Sequence, residues 1–176
     1  MDVRFVPVET AEDRCQIAQL ASRIWNEYWP AIIGQAQTDY MVENFQSLSA
    51  FERDMAEHGY EYWFVVADGE DGQPQVVGYT GGHEEPETNR FFISKIYLLA
   101  PHRGRGFARQ VVEFYDRLCR ERGLGGMYLT VNKHNELGVR AYKGTGFAVI
   151  DAVETDIGEG FIMDDYVMER PAGLRA

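Results

Sequence analysis

FFISKIYLLAPHRGRGFARQVVEFYDRLCRERG, residues Phe91 to Gly123, decides the fold. Its first eight residues, Phe91 to Leu98, are aromatic and β-branched enough for a buried strand. After Pro101, apolar residues recur at 107, 108, 111, 112, 115, 118 and 119, which is one face of a helix. Between strand and helix stands Arg103-Gly104-Arg105-Gly106. A strand that feeds a glycine-rich turn opening into a helix leaves several backbone N–H groups unpaired, aimed outward with the positive end of the helix dipole. Such a turn binds phosphate. The same residues also suit a plain strand-to-helix connection with solvated arginines, and charge separates the two readings. The chain has 28 acidic and 17 basic residues and a formal charge of -11, yet His102 to Arg109 holds three arginines and no carboxylate. A local reversal of sign on an acidic protein points to an anionic ligand. No Gly-Lys-Ser/Thr follows, so the turn is not a P-loop, and Arg109 stands where a dinucleotide fingerprint has its third glycine.

A second ordered motif lies downstream: Leu129-Thr130-Val131-Asn132-Lys133-His134-Asn135, then Arg140-Ala141-Tyr142, then Gly146-Phe147. Taken with Arg103 to Ala108, it resembles the GNAT superfamily of acetyl-CoA-dependent N-acetyltransferases, whose Arg/Gln-x-x-Gly-x-Gly/Ala turn cradles the coenzyme A pyrophosphate. The two motifs cover roughly the second half of the chain. The resemblance implies an α/β fold, a twisted mixed sheet of about seven strands flanked by helices on both faces and splayed between the fourth and fifth strands. It also implies that the backbone of Ile96, Tyr97 and Leu98 pairs with the pantetheine arm like an added strand. The N–H groups of Arg103, Gly104, Arg105, Gly106, Phe107 and Ala108 would take the pyrophosphate, and Asn135 would bond the pantetheine amides. Asn135 equally suits a helix cap.

The remaining pattern agrees with one domain over residues 1–176. A chain of 176 residues, 45% hydrophobic and 13% aromatic, is long enough and apolar enough for a single core. VRFVPV at 3 to 8 reads as a strand, and Thr10 with Asp13 as a loose capping box for a helix from Ala11 to Pro30. A second helix carries Tyr40, Met41, Phe45 and Leu48 with Thr38 as its cap, and a third runs from Ala50 to Glu57. Tyr62 to Ala67 and Gln75 to Gly82 form a hairpin about the turn at 68 to 72, and His83 to Arg90 reads as a surface loop. Met127 to Val131 is a strand, His134 to Lys143 a helix, and Phe147 to Thr155 and Phe161 to Glu169 are closing strands.

No apolar run approaches the roughly 18 residues that a membrane helix needs, and Met1 to Asp13 lacks a signal-peptide layout, so a cytoplasmic location is expected. Cys15 and Cys119, each inside a helical pattern, read as reduced, buried or half-buried thiols, with no metal site. The acidic surface should repel nucleic acid and anionic membranes.

Chemistry can then be placed on residues. Amine attack on a thioester releases a thiolate, and Tyr142 is the candidate general acid beside it. Full transfer from a tyrosine near pKa 10 to a thiol near 8.5 is uphill by about 2 kcal/mol, so a hydrogen bond to the developing charge matters as much as transfer. A core tyrosine on an amphipathic helix is the plainer reading of the same residue. An alkylamine near pKa 10.4 must first lose a proton. Glu84 and Glu85, after the third strand, are candidate bases, directly or through water; solvated loop carboxylates are the alternative. Trp25, Tyr28, Trp29 and Tyr40 would wall an amine by cation–π contact or simply form core. Asp164 and Asp165 add acidity near the last strand. The expected activity is direct acetyl transfer from acetyl-CoA, without metal, to a primary amine, a polyamine-like small molecule before others. A protein or peptide amine, or acyl-CoA binding without turnover, are the alternatives, and the resemblance adds a homodimer.

Overall fold

The computed structural model describes residues 2–69 and 71–174. Seven strands are hydrogen-bonded in the order β1-β2-β3-β4-β5-β7-β6: β1 Val3–Pro7, β2 Glu61–Asp68, β3 Pro74–Glu85, β4 Arg90–Leu98, β5 Gly126–Asn132, β6 Ala148–Gly158 and β7 Phe161–Pro171. Among the described residues six α-helices join them: α1 Ala11–Tyr28, α2 Pro30–Ile33, α3 Gln35–Phe45, α4 Leu48–Glu57, α5 Phe107–Arg122 and α6 Glu136–Gly144. No helix among the described residues is long and apolar enough to cross a membrane. The chain forms two compact units, one of Met1–His83 with Lys95–Val111, the other of Glu84–Ser94 with Val112–Ala176.

In the first unit β1 pairs antiparallel with β2, and β2 antiparallel with β3. The capping box holds: Thr10 Oγ1 accepts the Asp13 N–H, and the Asp13 carboxylate accepts the Thr10 N–H. That start aims Ile17, Ala21 and Ile24 of α1 into a core with Phe51 of α4, Tyr62 and Phe64 of β2 and Tyr79 of β3. Gly81 is required there, because a Cβ would stand 2.1 Å from the Tyr62 ring. The second helix differs from the sequence reading. It is two helices, α2 and α3, and Thr38 lies inside α3, where its hydroxyl donates to the Gly34 carbonyl at 2.7 Å instead of capping a start. Leu48 opens α4, whose cap is Ser47. Within the hairpin turn at 68 to 72, Glu70 lies outside the described residues.

In the second unit β5 pairs antiparallel with β7, and β7 with β6. β4 and β5 pair in parallel only from Arg90↔Gly126 to Phe92↔Tyr128. The register that would carry the ladder further is not formed among the described residues, which is the splay the resemblance implies. Phe91, Tyr115, Cys119, Met127, Leu129 and Met168 are fully or almost fully buried in this unit. Arg170, 4% exposed, fastens the C-terminal strand. It donates to Asp116 at 2.6 Å and to the Thr145 carbonyl at 2.9 Å, while the Gly173 N–H also reaches Asp116. Burial raises the Asp116 carboxyl, and the bonds from Arg170 and Gly173 outweigh it and hold the group below its usual range.

The segment read as a loop from His83 to Arg90 is mostly strand. β3 runs on to Glu85 and β4 begins at Arg90, leaving a turn at 86 to 89 in which Asn89 takes φ 54°. Cys15 is exposed rather than buried, and Cys119 is buried with its thiol pushed up to about 11, first by burial and then by Asp116.

Candidate active site

The glycine turn has the backbone geometry that an anion cradle needs. Gly104 and Gly106 adopt φ 74° and 82°, backbone that side chains other than glycine rarely take, and a Cβ at either would meet nothing within 4 Å. The chain enters through an Arg103 N–H to Ala100 carbonyl bond and leaves through a Gln110 N–H to Gly106 carbonyl bond. The N–H groups from Gly104 to Arg109 between them donate to no backbone carbonyl among the described residues. Six consecutive donors at a helix start, with Arg105 and Arg109 exposed beside them, fit a phosphate or pyrophosphate. His102 adds no charge, since burial and then Arg105 lower its pKa.

Arg103 is committed elsewhere. Its Nε donates to the Leu98 carbonyl at 2.9 Å and its guanidinium lies 4.6 Å over the Tyr28 ring. It therefore holds the end of β4 to the turn that follows it. Ile96, Tyr97 and Leu98 form that strand end, and Tyr97 packs 5.4 Å from Trp25 and 5.3 Å from Tyr79. The four aromatic residues expected to wall an acceptor each pack against another ring. Trp25 and Trp29 are buried and stacked at 5.1 Å, Tyr28 meets Trp29 edge-on, and Tyr40 pairs with Phe45. Tyr28 and Tyr40 are half-buried, which leaves them the better placed of the four to meet a ligand.

The second unit holds the remaining candidates. Asn135 is the N-cap of α6, its Oδ1 accepting the Gly138 N–H at 3.0 Å. Tyr142, in the last turn of α6, is half-buried with its ring 5.8 Å from Phe147. Glu84 and Glu85 stand on β3 itself and bond different partners: Glu84 pairs with Arg122 at 2.7 Å, and Glu85 accepts the Tyr128 hydroxyl at 2.5 Å.

Two buried ionisable groups stand out, Lys95, which the sequence reading did not single out, and Asp165, which it named only for its acidity. Lys95, 5% exposed, lies 3.2 Å from the Tyr62 hydroxyl and 3.7 Å from Asp54, with the rings of Phe51, Tyr60 and Tyr62 all within 5.5 Å. Burial pulls its pKa down to about 8 against the pull of Asp54. Asp165, 4% exposed on β7, has its carboxyl pushed up to about 6, by burial and then by Asp164. The alternation of β7 carried a signal for it, a carboxylate between Met163 and Val167 on one face.

The strand order, with an open N–H turn following β4, fits a transferase that binds an acyl-CoA. The chain belongs to the acetyltransferase (GNAT) family, whose model matches residues 19–147. It is 24% identical over 155 residues to the uncharacterised N-acetyltransferase YycN of Bacillus subtilis, covering 87% of this chain and 97% of that one. It is 32% identical over 83 residues to the streptothricin acetyltransferase of Streptomyces lavendulae, 47% of this chain and 43% of that one. Among solved structures, the PaiA N-acetyltransferase of Thermoplasma acidophilum in complex with coenzyme A superposes with a TM-score of 0.75 at 16% identity, covering 97% of this chain and 99% of that one. The protein is an acyltransferase that uses acetyl-CoA.

Proposed function

We propose that residues 1–176 act as one catalytic domain that moves the acetyl group of acetyl-CoA to a primary amine by direct transfer, with a polyamine-like small amine as the acceptor. The observation that carries the reading is the run of open N–H groups from Gly104 to Arg109. Acetyl-CoA supplies the activated acetyl thioester. The chain's own residues hold and orient it: the turn takes the pyrophosphate, the backbone of Ile96, Tyr97 and Leu98 pairs with the pantetheine arm, and the Asn135 amide reaches the pantetheine amides. The Tyr142 hydroxyl stabilises or protonates the leaving thiolate. Glu84 and Glu85 are two of the carboxylates within this scheme that could take the amine's proton, directly or through water, and each already accepts a hydrogen bond, from Arg122 and from Tyr128.

The acidic balance of the chain favours a cationic acceptor over an anionic one. Thiol release from acetyl-CoA is the test, measured with spermidine, streptothricin, amino acids, aminoglycosides and a lysine peptide, with Tyr142→Phe beside the parent. Saturable turnover with one amine class is expected, with kcat lowered about 100-fold in the variant. Tight coenzyme A binding without acetylation of any amine would turn the reading to an acyl-CoA-binding module.

A further inference from the structure

Asp165 presents a buried carboxylate oxygen that the fold does not satisfy. Its Oδ1 is shielded from solvent and meets no hydrogen-bond donor. The strand register places its side chain on the face shared by its partners Asn132 of β5 and Val153 of β6, with Thr130 and Val167 the next pair along. The nearby cation is already engaged on the opposite face. Lys133 forms its ion pair with Asp164 and lies 5.8 Å from the Tyr166 ring. Glu154, opposite Asp164 in the β6 register, adds a second negative charge near Lys133. Asn132 accepts the His134 N–H on its Oδ1 at 2.9 Å, and its amide nitrogen makes no hydrogen bond to Asp165 Oδ1. A buried carboxylate with no donor is costly, and in native proteins such a group marks a ligand, a water or a catalytic role.

We propose that Asp165 is the proton acceptor for the amine: its Oδ1 takes the missing hydrogen bond from the acceptor's ammonium and then its proton. The proposal rests on the amine acetyltransferase reading and deepens it. Geometry favours Asp165 over Glu84 and Glu85, because both of those already hold a donor. Its protonation behaviour agrees, since a carboxyl lifted to about 6 is ionised at neutral pH yet a stronger base than an ordinary aspartate. In the step, the ammonium gives one proton to Asp165 and the freed lone pair forms the N–C bond as the C–S bond breaks. The second nitrogen proton leaves with the sulfur, which departs as thiol, and Asp165 returns its proton to water.

The test is kcat/KM against pH for acetyl transfer to spermidine and to streptothricin, in the parent and in Asp165→Asn, Asp165→Glu, Asp164→Asn, Glu84→Gln and Glu85→Gln. The parent should lose activity below a limb near pH 6. Asp165→Asn should lose about 100-fold at pH 7.5 together with that limb, and Asp165→Glu should recover most of the loss. Asp164→Asn should stay active with the limb moved to lower pH, because it removes a like charge and frees Lys133. Folding is controlled by melting temperature. A folded-state pKa raised above the unfolded value means that ionised Asp165 weakens the fold as pH rises through about 4 to 6, so Asp165→Asn should melt higher than the parent at pH 8. Unchanged rates and an unchanged limb in Asp165→Asn, or loss of the limb in Glu84→Gln or Glu85→Gln instead, would overturn the proposal and leave the acetyltransferase reading standing. A parent that binds coenzyme A but acetylates neither amine would sink both.

Discussion

Lys95 shows what one residue costs and what that cost reports. An ammonium almost wholly removed from water is held by one carboxylate, Asp54, one hydroxyl and three aromatic faces. Arg53 is the like charge that disfavours it. Because its folded pKa of about 8 lies below the unfolded value, the unfolded chain binds the extra proton between pH 8 and about 10.4. Stability from this group must therefore rise as pH rises from 8, until unfolded tyrosines begin to ionise near pH 10. Lys95→Met should flatten that rise, read as melting temperature at pH 7.5, 8.5 and 9.5; equal slopes in parent and variant would show that Lys95 is not the titrating group. Such groups are hard to read from sequence. Lys95 stands in an apolar run, and its partners Asp54 and Tyr62 come from other elements. The Asn135 cap was legible because it follows from a residue's place before a helix. The partners of Glu84 and Glu85, 38 and 43 residues away, were not.

At the scale of elements, the turn between β4 and α5 exposes the clearest prediction. Open space at Gly106 means that an added methyl clashes with nothing, and the strain comes from φ 82° alone. Gly106→Ala should therefore fold yet twist its N–H out of the cradle, weakening coenzyme A at least tenfold by calorimetry with little change in melting temperature. Wild-type affinity in that variant would mean that the arginine side chains, not the backbone, bind the phosphates. Elements with one strongly apolar face were readable: α1 through Ile17, Ala21 and Ile24, and α5 through Val111, Val112, Tyr115 and Cys119. The failures have physical causes. α3 starts at Gly34, which offers no side-chain cap, while Thr38, the residue that looked like one, turns its hydroxyl back along the helix. β3 runs through His83, Glu84 and Glu85 because strand pairing uses backbone groups and is indifferent to polar side chains at its end. The splay needed the family resemblance, since no residue pattern within β4 or β5 announces where their ladder stops.

Over the whole molecule, charge works against the ligand. β6, at one edge of the sheet, presents exposed Asp151, Glu154 and Asp156, which protect a long edge strand from pairing with another. That surface belongs to a chain of formal charge -11, which repels a coenzyme carrying phosphates until it reaches Arg105 and Arg109. Two contributions to binding then scale differently with salt. Attraction to exposed arginines is screened over about 10 Å at 0.1 M ionic strength, whereas hydrogen bonds from the N–H groups of Gly104 to Arg109 act at contact and are screened much less. Raising salt also screens the long-range repulsion from the rest of the surface, so the sign of the net effect tells which field dominates at the turn. With Arg105 and Arg109 beside the cradle itself, coenzyme A should bind several-fold more weakly at 0.5 M than at 0.05 M salt. In Arg105→Gln/Arg109→Gln the dependence should vanish or reverse, leaving the repulsion alone. Titration calorimetry at both salt concentrations checks this, and a parent whose affinity rises with salt would show that the acidic surface, not the local arginines, governs approach to the cradle.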